Sequence, residues 1–266
     1  MSQHDTSHDD EKAVSNISRV THDSVHIHGI DLIAMLGNVN LGDFAFLELF
    51  KRLPEERESI VFNALVVALV EHGLMPSAIA TRMTYLGAPE SIQGAVSAGL
   101  LGLGNTFVGT MEGSARLCQE FMAEGAGPET DIEAAAEHII THYREQKKVI
   151  PGIGHPVHKP RDPRADKLMA IAVEQGFDDT PIRLMQAISE QASRRFDKTL
   201  PVNVTGAIGA IATSMNIDWK ITRGLGVMAR AIGLVGHILE ETRTPTAQKI
   251  WNRAERECNE DTDPSN

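Results

Sequence analysis

Aromatic side chains are scarce in this sequence, with Phe, Trp and Tyr together 5% of 266 residues. Bulk in the interior must therefore come from Ala, Leu, Ile and Met, which lose little rotamer freedom when helix packs on helix. Positive charge is also in deficit. Lys and Arg number 25 against 36 Asp and Glu, a net charge of −11, so the surface repels phosphate backbones and anionic lipid. Nucleic-acid and membrane-surface partners are excluded on that ground. Only two cysteines occur, Cys118 and Cys258, without metal-ligand spacing. Reduced thiols are expected, hence a reducing compartment. No apolar run approaches the ~20 residues that span a bilayer; the longest candidate is Ile60 to Val70. Met1 to Ser15 is polar and acidic, unlike a secretory signal, so a cytoplasmic location is expected.

What is present is ordinary for a soluble globular chain: 42% hydrophobic and 23% charged residues, long enough for a sizeable core. Residues 1–20 offer few apolar groups and are read as a solvated tail. His26-Ile27-His28-Gly29-Ile30 suggests a short extended stretch, and its two histidines are read as solvated rather than as a metal pair. Pro54-Glu55-Glu56 then has the composition of a first helical turn, and Ile60 to Val70 is apolar almost all round, which predicts a buried helix ending at Gly73. Small residues recur from Pro89 to Leu103, and a further helix is expected over 108–123. Asp131 is placed to cap a helix ending near Lys147. After the Gly/Pro-rich stretch from Lys147 to Pro163, helices are predicted over 163–176, 181–196, 205–215 and 221–243, followed by a frayed, charged end. Alternation of the strand type is nearly absent.

Chemistry concentrates in a few positions. His155 stands among the glycines of Gly152-Ile153-Gly154-His155-Pro156, where an imidazole could donate to a carbonyl or hydroxyl; a structural role is equally open. Arg164 follows Asp162-Pro163 in a first helical turn, a place where the dipole opposes a cation, so an anion is expected beside it. His72, at a helix end, either bonds the last carbonyls or faces a ligand. Arg230 interrupts an apolar helical stretch and must meet a buried partner or an anionic ligand. Gly99 to Gly104 lacks the strand and the Lys-Ser/Thr ending of a phosphate loop, no serine sits in a nucleophile elbow, and Cys118 is read as packing.

Taken together, Glu71-His72-Gly73, Gly152-Ile153-Gly154-His155 with Asp162-Pro163-Arg164, and Arg230 with Ile232-Gly233 and His237 resemble the citrate synthase and citryl-CoA lyase superfamily over about residues 25–245. The resemblance implies an all-α fold with a large domain from residues 21–111 and 216–258, a small domain from 112–215, an interdomain cleft, and tails at 1–20 and 259–266. It also implies a homodimer. His155 and His72 would be active-site histidines, and His72, Arg164 and Arg230 would bind the carboxylates of oxaloacetate or citrate. Coenzyme A, as part of the substrate rather than a separate cofactor, would lie along Val149, Pro151, Gly152, Ile153 and Gly154, with Lys147, Lys148 or Lys159 near its phosphates. No metal is expected.

Two positions depart from the family. Phe107 occupies the place of the histidine that polarises the thioester in citrate synthases, as in the similar turn of the lyase module of ATP-citrate lyase. Thr205, in Asn203-Val204-Thr205-Gly206, replaces the catalytic aspartate and cannot exchange a proton near neutral pH. It could still orient a water or an enolate; His158 is another candidate stand-in. The expected activity is cleavage of a citryl-CoA-type thioester to acetyl-CoA and oxaloacetate. The alternatives are condensation of acetyl-CoA with a 2-keto acid, and a weakened paralogue that binds CoA or a polycarboxylate.

Overall fold

The computed structural model describes residues 15–127, 129–155 and 158–260. Twelve helices and one small sheet are found among them. Most of the expected tail at 1–20, Pro128, Pro156 and the last six residues lie outside the described set. Two compact units result, residues 1–62 and 63–266.

In the first unit, β1 (Ser18–Val20), β2 (Val25–Ile27) and β3 (Ile30–Asp31) form an antiparallel sheet in that order. β1 corrects the expected tail: its residues are exposed, yet Ser18 to Val20 register against Ile27 to Val25, so backbone pairing supplies what side-chain burial does not. Helices α1 (Leu32–Met35) and α2 (Leu41–Phe50) follow, α2 capped by the Asn40 side chain on the Asp43 N–H. Phe46 is buried between Phe50, stacked at 4.1 Å, and Phe62, edge-on at 5.4 Å.

Phe62 lies in α3 (Glu56–Val70). This helix is not buried all round, as its composition suggested. Val61, Phe62, Leu65 and Leu69 are buried on one face, while Val67 on another is 70% exposed. The remaining helices belong to the second unit: α4 (Pro76–Gly87), α5 (Ile92–Leu101), α6 (Gly109–Ala123), α7 (Ile132–Glu145), α8 (Pro163–Glu174), α9 (Thr180–Phe196), α10 (Val204–Ser214), α11 (Trp219–Arg243) and α12 (Ala247–Glu260). At its centre stands α10, buried continuously from Gly206 to Thr213 and packed on α6, α8, α9 and α11. Small residues permit this: a Cβ at Gly209 would collide with Ser114 and the α6 backbone. The α4–α5 pair is equally tight, because Gly99 lies against Thr81 and Ser77.

The expected fraying after 243 is corrected by α12. Its start is held by Glu241, whose carboxylate accepts from the Thr246 and Ala247 N–H groups at 2.8 Å, and Ala247 is buried. A side chain of the preceding helix, six residues before Ala247, thus satisfies orphan donors of the next one. Among the described residues no helix is long and apolar enough to cross a membrane.

Candidate active site

The loop between α7 and α8 is fixed from behind by the start of α10. Gly152 and Gly154 both take left-handed backbone, φ 80° and 87°. Ile153 bridges Val202, the Gly154 N–H donates to the Pro201 carbonyl (2.7 Å), and the Asn203 N–H donates to the Gly152 carbonyl (3.0 Å). The Asn203 amide then joins loop to helix: Nδ2 donates to the Gly154 carbonyl (2.7 Å), while Oδ1 caps α10 by accepting from the Thr205 and Gly206 N–H groups. Backbone comes so close here that a Cβ on Gly206 would strike the Gly152 carbonyl. That contact explains why glycines occupy both positions.

His155 leaves this loop with its orientation set. Its Nδ1 accepts the His158 backbone N–H at 2.8 Å. In the neutral ring the proton then resides on Nε2, which makes His155 a hydrogen-bond donor. Burial, with the neighbouring His158, pulls its pKa below the usual imidazole value, so the neutral form persists at neutral pH. One ring nitrogen from each of His72, His155 and His158 lies within 4.8 Å of the other two. The His155 and His158 rings tilt against each other with centroids 4.5 Å apart. Three imidazoles so close invite a metal, but His155 would have to give up its bond to the His158 N–H to offer a lone pair from Nδ1. The set fits a metal poorly.

Asp162 and Arg164 occupy the first turn of α8. Asp162 is 0% exposed and accepts from its helix through the Arg164 N–H (3.1 Å), from Val204 N–H of α10 (3.1 Å), and from the Arg164 guanidinium. Burial alone would raise its pKa; the guanidinium and the two N–H groups outweigh it and hold the carboxyl below its ordinary range. The anion expected beside Arg164 is therefore present within the chain.

His72 follows α3, in a turn closed by Gly73 at φ 71°. The Glu71 carboxylate accepts from the backbone N–H groups of both His72 (2.8 Å) and Gly73, and lies 3.0 Å from His237 Nε2. His237 Nδ1 in turn accepts from Arg82 Nε at 3.1 Å, and Arg82, almost wholly buried in α4, also pairs with Glu240 and Glu241. A chain of polar contacts thus runs from α4 through α11 to the turn that carries His72. Arg230, about two turns before His237 on α11, is 12% exposed; its Nη1 is buried without a hydrogen-bond partner, 4.0 Å from Glu71 Oε1. Burial lowers its pKa, with Glu71 opposing only in part. Such an orphaned guanidinium nitrogen suits an anionic ligand better than a completed ion pair.

Thr205 opens α10 with its hydroxyl committed: it donates to Asn203 Oδ1 (2.6 Å) and lies 3.0 Å from the Thr110 hydroxyl. Of the loop residues expected to meet coenzyme A, Val149 is 86% exposed, Gly152 is buried, Pro151, Ile153 and Gly154 are half-buried and Lys159 is exposed. Val149 and Ile153 help line an apolar cavity of about 280 Å³ with Ile150, Phe196 and Leu200, and Arg144, Lys147 and Lys148 border the same space. Phe107, in the turn before α6, is 38% exposed.

Sequence reasoning did not find the roles of Glu71, Asn203, Thr110 or Arg82. Asn203 carried a signal, as an Asn directly before a helix is a preferred cap. Arg82 carried one too: a lone guanidinium in the run Ala78-Ile79-Ala80-Thr81 to Leu86.

Comparison with known proteins agrees with this architecture. The model of the citrate synthase C-terminal domain matches residues 12–254. The chain belongs to the citrate synthase family. Among solved structures, a citryl-CoA lyase from Hydrogenobacter thermophilus is 33% identical with a TM-score of 0.79, covering 88% of this chain and 89% of that one. ATP citrate lyase from Methanosaeta concilii, solved in complex with (3S)-citryl-CoA, shares the fold at TM-score 0.74 and 23% identity, over 87% of this chain and 39% of that chain. A probable ATP-citrate synthase subunit 1 from Neurospora crassa is 26% identical over 77% of this chain. This chain spans about a third, 32%, of the length of that relative.

Proposed function

We propose that this family member cleaves a citryl-CoA-type thioester to acetyl-CoA and oxaloacetate. The observation that carries this is the meeting of His72 and His155 within 4.8 Å, with His155 held by the His158 N–H as a donor. A fixed donor facing the oxygen on which charge develops lowers the barrier to carbon–carbon cleavage. The likeness to a citryl-CoA lyase along nearly the full length of both chains supports the same reading.

In this scheme His155 bonds the hydroxyl or keto oxygen, and His72, Arg164 and Arg230 hold the carboxylates so that the scissile bond is aligned. The orphaned Nη1 of Arg230 supports its part. Coenzyme A enters with the substrate along Val149 to Gly154. The apolar cavity bordered by Arg144, Lys147 and Lys148 has the chemistry for the pantetheine or adenine and the phosphates. No metal or separate cofactor is required. Large and small domains, from 21–111 with 216–258 and from 112–215, flank the site. The protein is a cytoplasmic homodimer: Met228, Ile232, Val235 and Leu239 form an exposed apolar stripe at helical spacing along α11, a surface suited to a second copy.

The competing reading is a weakened paralogue that binds CoA thioesters or polycarboxylates, favoured by the committed hydroxyl of Thr205. Incubation with citryl-CoA and continuous measurement of oxaloacetate separates the two. Release that disappears in His155→Ala supports cleavage, and binding without release supports the paralogue. Consumption of acetyl-CoA and oxaloacetate with release of free CoA marks a synthase instead.

A further inference from the structure

We infer that His158 is the catalytic base and acid of this site, an assignment that rests on the citryl-CoA cleavage proposed above. That cleavage moves one proton. The substrate hydroxyl loses it, the carbon–carbon bonding pair passes to the thioester α-carbon as the ketone forms, and the α-carbon must then be protonated. Neither an oxidant nor a reductant enters.

The side chains around the site can be tested one by one for that task. His155 cannot take the proton: its Nδ1 lone pair already accepts the His158 N–H at 2.8 Å, so the ring donates through Nε2. Thr205 cannot, because a hydroxyl does not exchange a proton near neutral pH and this one is turned to Asn203 and Thr110. The guanidinium groups of Arg164 and Arg230 stay protonated. Asp162 is buried against Arg164 and the Val204 N–H. Glu71 is taken up by two backbone N–H groups and His237.

His72 and His158 remain. His72 is held through its backbone N–H by Glu71 in the turn after α3, and the function proposed above gives its ring to the substrate carboxylate. The His158 ring lies against His155, centroids 4.5 Å apart, beside the donor that marks the hydroxyl oxygen. Hydroxyl oxygen and α-carbon are separated by a single carbon in the substrate, so one imidazole reaches both. His158 takes the hydroxyl proton as the carbon–carbon bond breaks, becomes an imidazolium, and returns the proton to the enolate carbon. The same residue acts twice: its backbone N–H fixes the donor and its ring moves the proton.

Steady-state cleavage of citryl-CoA by the full chain, His158→Ala and His158→Gln tests this. The expected result is a kcat lower by ~10²–10⁴-fold in both variants with KM changed by less than about threefold. Free imidazole should restore part of the activity to His158→Ala, which a merely structural role would not allow. Wild-type kcat in either variant overturns the assignment and leaves the lyase proposal standing, as does a loss in His158→Ala that imidazole does not relieve. Should His158→Ala fail to fold, His158→Gln decides: lost kcat at unchanged KM supports the role, and retained kcat overturns it. Absence of cleavage by the unmodified chain overturns both proposals.

Discussion

Asp162 holds Arg164 with both carboxylate oxygens, Oδ1 at 3.1 Å from Nε and Oδ2 at 2.9 Å from Nη2. The same carboxylate caps α8 and receives the first N–H of α10, so one buried side chain fixes the arginine and two helix starts together. Asp162→Ala should therefore cost about 2–5 kcal/mol, the sum expected for a lost cap and orphaned donors. Urea unfolding measures it. Arg164, freed to swing, should also lose its grip on citrate, which isothermal titration would register as weaker binding.

The buried carboxylates give the fold a defined acid limb. Asp162, Glu71 and Glu241 all have pKa values held below the ordinary carboxylate range: burial pushes each up, and hydrogen bonds from N–H, guanidinium or imidazole neighbours outweigh it. His155 is lowered too, by burial first. For every one of these groups the unfolded chain binds protons before the folded chain does. Stability is thus complete above the ordinary imidazole value of 6.5, begins to fall below it through His155, and falls further as the carboxylates cross their ordinary range toward their folded values. Melting temperature against pH should show this decline, and Asp162→Asn should make its lower part shallower. A flat profile would contradict the assigned shifts.

Cys118 and Cys258 should differ completely toward thiol reagents. Burial in α6 pushes the Cys118 thiol up to about 12, and Cys258 is exposed in α12. A thiolate is the reacting species, so the folded chain should titrate one thiol and the unfolded chain two. Rapid labelling of both in the native protein would mean that α6 opens readily.

Much of this was legible in the sequence because it is local. Asp131 before an apolar-periodic run, Asp162-Pro163 at a first turn and Gly73 after the last apolar residue of α3 each mark a helix end by chemistry within a few residues. The Gly/Pro loop around His155 was visible for the same reason. What escaped is long-range. That Arg82 would find His237 and Glu241 more than 150 positions away, or that Thr205 would meet Thr110, depends on which helices pack together. The extent of α12 escaped because its anchor, Glu241, belongs to the preceding helix. Arg164 shows the limit within a local pattern: the sequence implied an anion beside it, yet could not tell a substrate carboxylate from Asp162 two residues away.

Gly206→Ala should be far more damaging than an alanine usually is in a helix. A Cβ at Gly206 points into the Gly152 carbonyl, and neither backbone can move without disturbing the bonds Asn203 makes to both segments. A loss of about 1–3 kcal/mol is expected from such overpacking. Since the displaced backbone carries His155, turnover should fall as well, beyond what the reduced folded fraction accounts for. Activity measured per folded molecule, with folding followed by circular dichroism, checks that. Full activity in a normally folded variant would show that loop and helix are not rigidly joined.

Arg230 separates a structural charge from a ligand-binding one. Its Nη1 is buried without a hydrogen bond, the nearest carboxylate oxygen is 4.0 Å away, and burial already lowers its pKa. A guanidinium kept in that state costs the fold something, so Arg230→Met should leave stability unchanged or raise it. If the cost is offset by an arriving carboxylate, the same variant should lose kcat/KM for citryl-CoA by ~10–100-fold, an effect of the size of one charge-assisted bond, mostly through KM. The reverse outcome, a destabilised protein that binds citrate normally, would make Arg230 the partner of Glu71 and remove it from the site. Both quantities come from the same two proteins, stability from thermal unfolding and kcat/KM from steady-state cleavage of citryl-CoA, with the shift in melting temperature on adding citrate reporting binding, so the two roles cannot be confused.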